Sequence, residues 1–260
     1  MSDETGHIVK SFEQELQRLR GLITDMGGMV ERQVALAGTA ILARDAEAAS
    51  QAMEADARVD ALEREAEQFV IRLLALRQPM AQDLRQIVAA LKITGELERI
   101  GDYAKNAAKR SIVLAQFRLP FPLSGLGNMS RLVQENLKAV IDAIGEADVA
   151  KAEAVWRSDE AIDAIYNALF RELITYMMED PRNITPCTHL LFIAKNLERI
   201  GDHATNIAEM VYYAGTGVPL PEGRPKGDGS AYAVVHPHAE EDVHPHAEDE
   251  AAHTQKDEGA

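Results

Sequence analysis

The hexapeptide Leu-Glu-Arg-Ile-Gly-Asp occurs twice, at positions 97–102 and 197–202. Identity spreads outward from it to Leu91 and Leu191, Ile93 and Ile193, Ala104 and Ala204, Asn106 and Asn206, and Ala108 and Ala208. An internal repeat of this kind makes the chain two copies of a simpler unit. Whatever the unit folds into must therefore be buildable twice, and polar residues kept in both copies are candidates for a shared role.

Apolar residues recur at helical spacing almost throughout the first 214 positions, and no alternating run rich in Val, Ile and Thr marks a strand. The pattern predicts a first helix from Phe12 to Asp45, bent near Gly27 and Gly28, and a second from Ala46 to Arg77. A third opens with Pro79 at its first position and runs to Phe117. Pro120, Pro122, Gly125 and Gly127 read as a linker. Helices over 129–145, 147–179 and 186–214 follow, with Thr185 as a cap and Gly215 and Gly217 as the stop. Three long helices joined by short turns are antiparallel neighbours. The predicted fold is all-α: two tandem pseudo-symmetric three-helix bundles, at 5–118 and 128–215, with a disordered acidic, His-rich tail at 217–260. That tail repeats His-Pro-His-Ala-Glu at 236–240 and 244–248 and is poor in large apolar residues, which predicts no packed core and permits incidental metal binding.

Composition excludes several functions. A net charge of -15 opposes binding to nucleic acid or anionic lipid, both of which attract clustered Lys and Arg. No apolar run reaches the roughly 18 residues of a spanning helix, so no direct membrane insertion is expected. The N-terminus has no basic region leading into an apolar stretch, so no secretion signal is expected either. The single cysteine, Cys187, cannot form an intrachain disulfide; this fits a reducing cytoplasm and a buried structural thiol.

The candidate chemistry lies in acids. At about 100° per residue, Leu97, Ile100, Ala104, Ala107 and Ala108 form a core stripe, while Glu98, Asp102 and Asn106 form a second, roughly opposite and outward. Glu198, Asp202 and Asn206 repeat that stripe. Gly101 and Gly201, inside helices, imply close approach of backbone or ligand. The preceding helices add Asp56 with Asp60 and Asp159 with Asp163 at the same step of four. One such pair means little: it reads equally as a solvated face on which Arg99 and Arg199 pair with Asp102 and Asp202 at i+3. Like charges at this spacing repel by a few tenths of a kcal/mol, so their repetition in both copies favours a ligand role. Carboxylates meeting across two helices form a hard-oxygen set suited to manganese, iron, magnesium or calcium.

The tracts Arg77-Gln-Pro-Met-Ala-Gln-Asp-Leu-Arg85, Leu97-Glu-Arg-Ile-Gly-Asp-Tyr-Ala104, Tyr176-Met-Met-Glu-Asp-Pro-Arg182 and Leu197-Glu-Arg-Ile-Gly-Asp-His-Ala-Thr-Asn206 resemble the PhoU family, accessory proteins of bacterial phosphate-specific transport. The likeness covers about residues 5–215 and leaves out the tail. It implies two pseudo-symmetric three-helix bundles and multinuclear metal clusters, with iron, manganese, zinc or magnesium as candidate ions. The ligands it implies are Asp56, Asp60, Glu98, Asp102, Asp159, Asp163, Glu198 and Asp202, with Arg99, Asn106, Arg199 and Asn206 placed to orient them. It further implies a cytoplasmic homodimer, held near the inner membrane by the phosphate ABC transporter, through its ATPase subunit, and by a membrane sensor histidine kinase, and repressing phosphate-starvation genes.

Two other readings stand beside this non-enzymatic regulator. A ferritin-like di-metal oxidase also mounts carboxylates on helices, but it uses Glu-x-x-His, and here Gly101 and Gly201 stand three residues after Glu98 and Glu198. A metal-free helical scaffold is the third. Any direct sensing of phosphate by so acidic a protein would need bound cations as intermediaries.

Overall fold

The computed structural model describes residues 2–221, with side chains from Phe12 onward. Six α-helices and one short 3₁₀ turn make up the described residues, with no strand among them. They are α1 (Ser2–Leu42), α2 (Ala46–Arg77), α3 (Ala81–Leu114), α4 (Ser124–Glu146), α5 (Val149–Glu179) and α6 (Ile184–Thr216). The all-α prediction and the helix order hold. The predicted tail lies outside the described residues, apart from its first five positions.

Local chemistry explains where the helices begin. Asp45 caps α2, its Oδ1 accepting from the backbone N–H groups of Glu47 at 2.9 Å and Ala48 at 3.1 Å. Asp148 caps α5 in the same way, accepting from Ala150 and Lys151. Each cap satisfies two amides that a helix start leaves without an intrahelical partner. Several predicted boundaries move. Pro79 is not the first residue of α3 but sits in the three-residue turn before it, between the left-handed Gln78 (φ 46°) and Met80. Thr185 is not a cap: α6 starts at Ile184 and carries Pro186 in its first turn, where a missing N–H costs no helical bond. Gly215 continues α6, and Gly217 alone ends it, at φ 80°.

The glycines read as linker or bend are packing residues instead. Helix α4 begins at Ser124 and includes Gly125, because a Cβ there would lie 2.8 Å from Leu169 Cδ2 of α5. Helix α1 runs unbroken through Gly27, where a Cβ would meet Ile141 of α4 at 3.1 Å. Gly38 lies as close to Ser130. Position rises along α1 as it falls along α4, so these two helices cross antiparallel and tie the repeats together.

Helices α1, α2 and α3 pack on one another, as do α4, α5 and α6. The bundles also share one continuous core, into which both predicted stripes point. Leu97, Ile100 and Ala104 are fully buried, as are Leu197, Ile200 and Ala204. The main joint is α3 against α6. Arg85 lies beside Gly217, Glu96 beside His203, Tyr103 beside Arg199 and Arg110 over Phe192, so this crossing is antiparallel too. Its midpoint falls near Gly101 and Gly201, which makes the repeats related by an approximate twofold axis there.

Candidate metal centre

Helices α2 and α3 bring Asp56, Asp60, Glu98 and Asp102 to one groove, and α5 and α6 bring Asp159, Asp163, Glu198 and Asp202 to its counterpart. Glu98, Asp102, Glu198 and Asp202 were expected to face outward, and the structure differs at Glu198, which is buried. Asp56, Asp159, Asp163 and Glu198 are all under 9% exposed, and the others are half-buried. A wheel drawn for one helix sees that helix alone. The second helix closes over the acidic stripe because its own acids lie beside its apolar residues rather than opposite them.

The grooves are not identical. In the first, the Lys105 ammonium bridges Asp56 and Asp102, the latter at 3.5 Å. Thr205 stands one hundred residues further on and donates from Oγ1 to Asp159 Oδ1 at 3.1 Å. The second groove takes its cation from another position, Lys195, whose Nζ lies 2.7 Å from Glu198 Oε1 and 4.8 Å above the Tyr166 ring. Both copies thus hold an ammonium against acids, from different sites in the sequence.

A ninth acid, Glu63, was missed by sequence reading. It follows Asp60 by three residues and Asp56 by seven, the spacing that keeps one helix face, and this was the available signal. Burial raises the Glu63 carboxyl above its ordinary 4.5, helped by the charges of Glu67, Asp60 and Asp102. Burial likewise raises Glu98, with Asp102, Glu63, Asp60 and Asp56 adding to it. The first groove therefore concentrates negative charge that its own protein cations do not fully offset.

As they stand, no three His, Cys, Asp or Glu side chains among the described residues are gathered closely enough to hold one ion. The donors are carboxylate oxygens, which suit a hard cation, and a lysine ammonium already sits against acids in each groove. Arg199 and Asn206 hydrogen-bond to side chains of α3. Arg199 donates to the Tyr103 hydroxyl at 3.1 Å, and Asn206 donates to Glu96 Oε2 at 2.9 Å, both across the α3–α6 seam. Arg99 and Asn106 are exposed. His203 also belongs to the seam, its Nδ1 donating to Glu96 Oε2 at 2.6 Å and its ring stacked on Tyr103.

Gly101 and Gly201 admit neighbouring side chains rather than ligand. A Cβ at Gly101 would sit 3.0 Å from Gln33 Oε1, and one at Gly201 would sit 2.9 Å from Ile162 Cδ1. Cys187 is buried as expected, and burial pushes its thiol up to about 11.

Comparison with known proteins agrees with this architecture. The PhoU domain model matches residues 23–111 and 126–211, one match per bundle. The chain belongs to the PhoU family. It is 52% identical over 228 residues to the phosphate-specific transport system accessory protein PhoU homolog of Caulobacter vibrioides, covering 86% of this chain and 98% of that one. The homolog of Zymomonas mobilis is 50% identical over 223 residues, covering 85% and 93%. Among solved PhoU structures, that of Pseudomonas aeruginosa superposes with a TM-score of 0.78 at 39% identity, covering 80% of this chain and all of that one. The phosphate transport system regulatory protein PhoU of Streptococcus pneumoniae gives 0.75 at 30%, covering 81% and 99%. No helix among the described residues is long and apolar enough to cross a membrane.

Proposed function

We propose that this protein is a metal-dependent, non-enzymatic adaptor that reports phosphate sufficiency and restrains phosphate uptake and phosphate-starvation signalling. The observation that carries the reading is the paired acidic groove, built twice from different helices and crowded enough to raise the Glu98 and Glu63 carboxyls. Asp56, Asp60, Glu98 and Asp102 hold cations in one groove, and Asp159, Asp163, Glu198 and Asp202 in the other. Iron, manganese, zinc or magnesium would supply positive charge there, and with it a means for an acidic surface to meet phosphate or a phosphate-bearing partner. The relatives' naming as phosphate transport accessory proteins supports the system in which it acts. Its partners are the ATPase subunit of the phosphate ABC transporter and a membrane sensor histidine kinase, which it meets in the cytoplasm at the inner membrane as a homodimer.

The oxidase reading is disfavoured because the position of a Glu-x-x-His histidine is taken by Gly101 and Gly201, both packed against neighbouring side chains. One observation favours the metal-free scaffold: Lys105 and Lys195 already supply a cation to each groove. Titrating phosphate calorimetrically into the tag-free protein, with and without chelator, separates the two. The adaptor reading expects phosphate affinity to fall sharply on chelation, and equal affinity in both conditions excludes metal-mediated sensing. Co-purification of transporter ATPase and kinase with the protein from cells tests the partners, and recovery of neither overturns them.

A further inference from the structure

A cavity of about 390 Å³ opens where the repeats meet, at the C-terminal end of α6, and none of the groove acids lines it. Its apolar walls come from three helices, with Leu19 and Ile23 of α1, Ala90 and Ile93 of α3, and Val211 and Ala214 of α6. The repeat shows how the same positions look when they are filled. One hundred residues from Ala90 and Ala214 stand Leu190 and Leu114, each 1% exposed. The two copies of one fold thus differ here by side-chain size: leucine packs one corner, and alanine leaves the other hollow. Such space forfeits packing that a larger side chain would restore.

The polar groups of the lining are one-sided in charge. The chain has 42 acids, yet no Asp or Glu lines this cavity, and its one charged lining residue among those described is Arg20. The Arg20 guanidinium is exposed, and one of its nitrogens donates to Gln86 Oε1 at 2.8 Å, which fixes it at the rim beside Gln82. A guanidinium carries five N–H donors, so the one bond to Gln86 leaves others to point at an anion. An apolar enclosure with a single oriented cation at its edge is the pattern of a site for a small amphiphile.

We propose that this cavity binds a single-chain carboxylate of medium length, with its hydrocarbon among Ile23, Ala90, Ile93 and Ala214 and its carboxylate on Arg20. At about 30 Å³ per heavy group, the 390 Å³ volume admits a chain on the order of ten carbons. The hydrocarbon supplies most of the affinity, because the walls offer it burial without any polar group to desolvate. Arg20 supplies the orientation and the preference for an anionic head. The ligand would touch α1, α3 and α6 together, so it acts on the joint between the repeats and is independent of the acidic grooves.

Calorimetric titration of the full chain with hexanoate, octanoate and decanoate, each below its micelle concentration, tests this directly. Affinity is expected to rise about threefold to fourfold per added methylene. Ala90→Leu/Ala214→Leu, which copies the side chains of the filled corner, is expected to weaken decanoate by about tenfold or more while the protein stays as helical and as heat-stable as the parent. Arg20→Gln is expected to weaken decanoate about fivefold and to leave decanol binding unchanged. Absence of saturable binding, or affinity that does not depend on chain length, overturns the proposal. So does decanoate binding that survives the double leucine variant, or an equal loss of decanoate and decanol in Arg20→Gln. Retention on phosphatidylglycerol vesicles without binding of monomeric decanoate would assign the face to a lipid surface and overturn it as well.

Discussion

Glu98 and Glu63 set the behaviour of the first groove at the scale of single residues. Each binds its proton more tightly in the folded protein than in the unfolded chain, because burial and neighbouring carboxylates raise it above 4.5. The folded state then holds more protons across the window above 4.5, so stability falls as pH rises through that window and stays reduced at neutrality. In chelator, a Glu63→Gln/Glu98→Gln variant is expected to be more stable than the parent at pH 7, by a few tenths of a kcal/mol to about 1 kcal/mol. The difference should shrink as the buffer approaches pH 4.5, measured by urea denaturation at a series of pH values. Glu96 works in the opposite sense. Burial alone would raise it, but hydrogen bonds from His203 and Asn206 hold it below 4.5, so the stability it contributes is complete above that value and is lost only at lower pH. Lys105 gives a second prediction. It competes with any metal ion for Asp56 and Asp102, so Lys105→Gln should tighten manganese binding several-fold while lowering the stability of the metal-free protein. Unchanged affinity would mean that the ammonium and the ion do not share a site.

At the scale of helices, glycine positions discriminate packing from mere tolerance. Gly21 has open space where a Cβ would go, so Gly21→Ala should stabilise the protein by roughly 0.5–1 kcal/mol. A Cβ at Gly215 would lie 2.5 Å from Val149 Cγ2, so Gly215→Ala should instead cost about 1–3 kcal/mol, both read as shifts in the denaturation midpoint. Helix number, order and core stripes were legible in the sequence because Leu97, Ile100 and Ala104, like their counterparts one hundred residues on, repeat at helical spacing and point where that spacing dictates. The depth of the acids was not. Asp159 is buried because α6 lies over it and Thr205 reaches it, a fact that belongs to two helices and appears in neither one alone. The same holds for Gly125, which looked like a turn residue only because the close approach of Leu169 comes from a helix more than forty residues away. Glu63 was legible at i+3 and i+7 but has no acidic partner in the second copy, so a search for repeated acids passes over it.

The whole molecule depends on the seam between α3 and α6. Glu96, His203 and Asn206 form one hydrogen-bonded group there, and Arg199 with Tyr103 forms another, so the bundles are joined by polar contacts as well as by a common core. A double-mutant cycle with Glu96→Gln and His203→Ala should return a coupling energy of about 1–3 kcal/mol, and additive effects would show that the pair contributes nothing to the joint. The seam also relates the two grooves, though built by separate bundles, through the approximate twofold near Gly101 and Gly201. The claim on which the function rests is that these grooves hold metal. Manganese binding to the full, tag-free chain, followed by loss of the free-ion electron paramagnetic resonance signal, measures it most directly, because a hard ion prefers the groove carboxylates to the imidazoles of the tail. The parent is expected to bind ions that a Glu98→Ala/Asp102→Ala/Glu198→Ala/Asp202→Ala variant, still helical by circular dichroism, no longer binds. Equal stoichiometry in the two proteins would contradict the account.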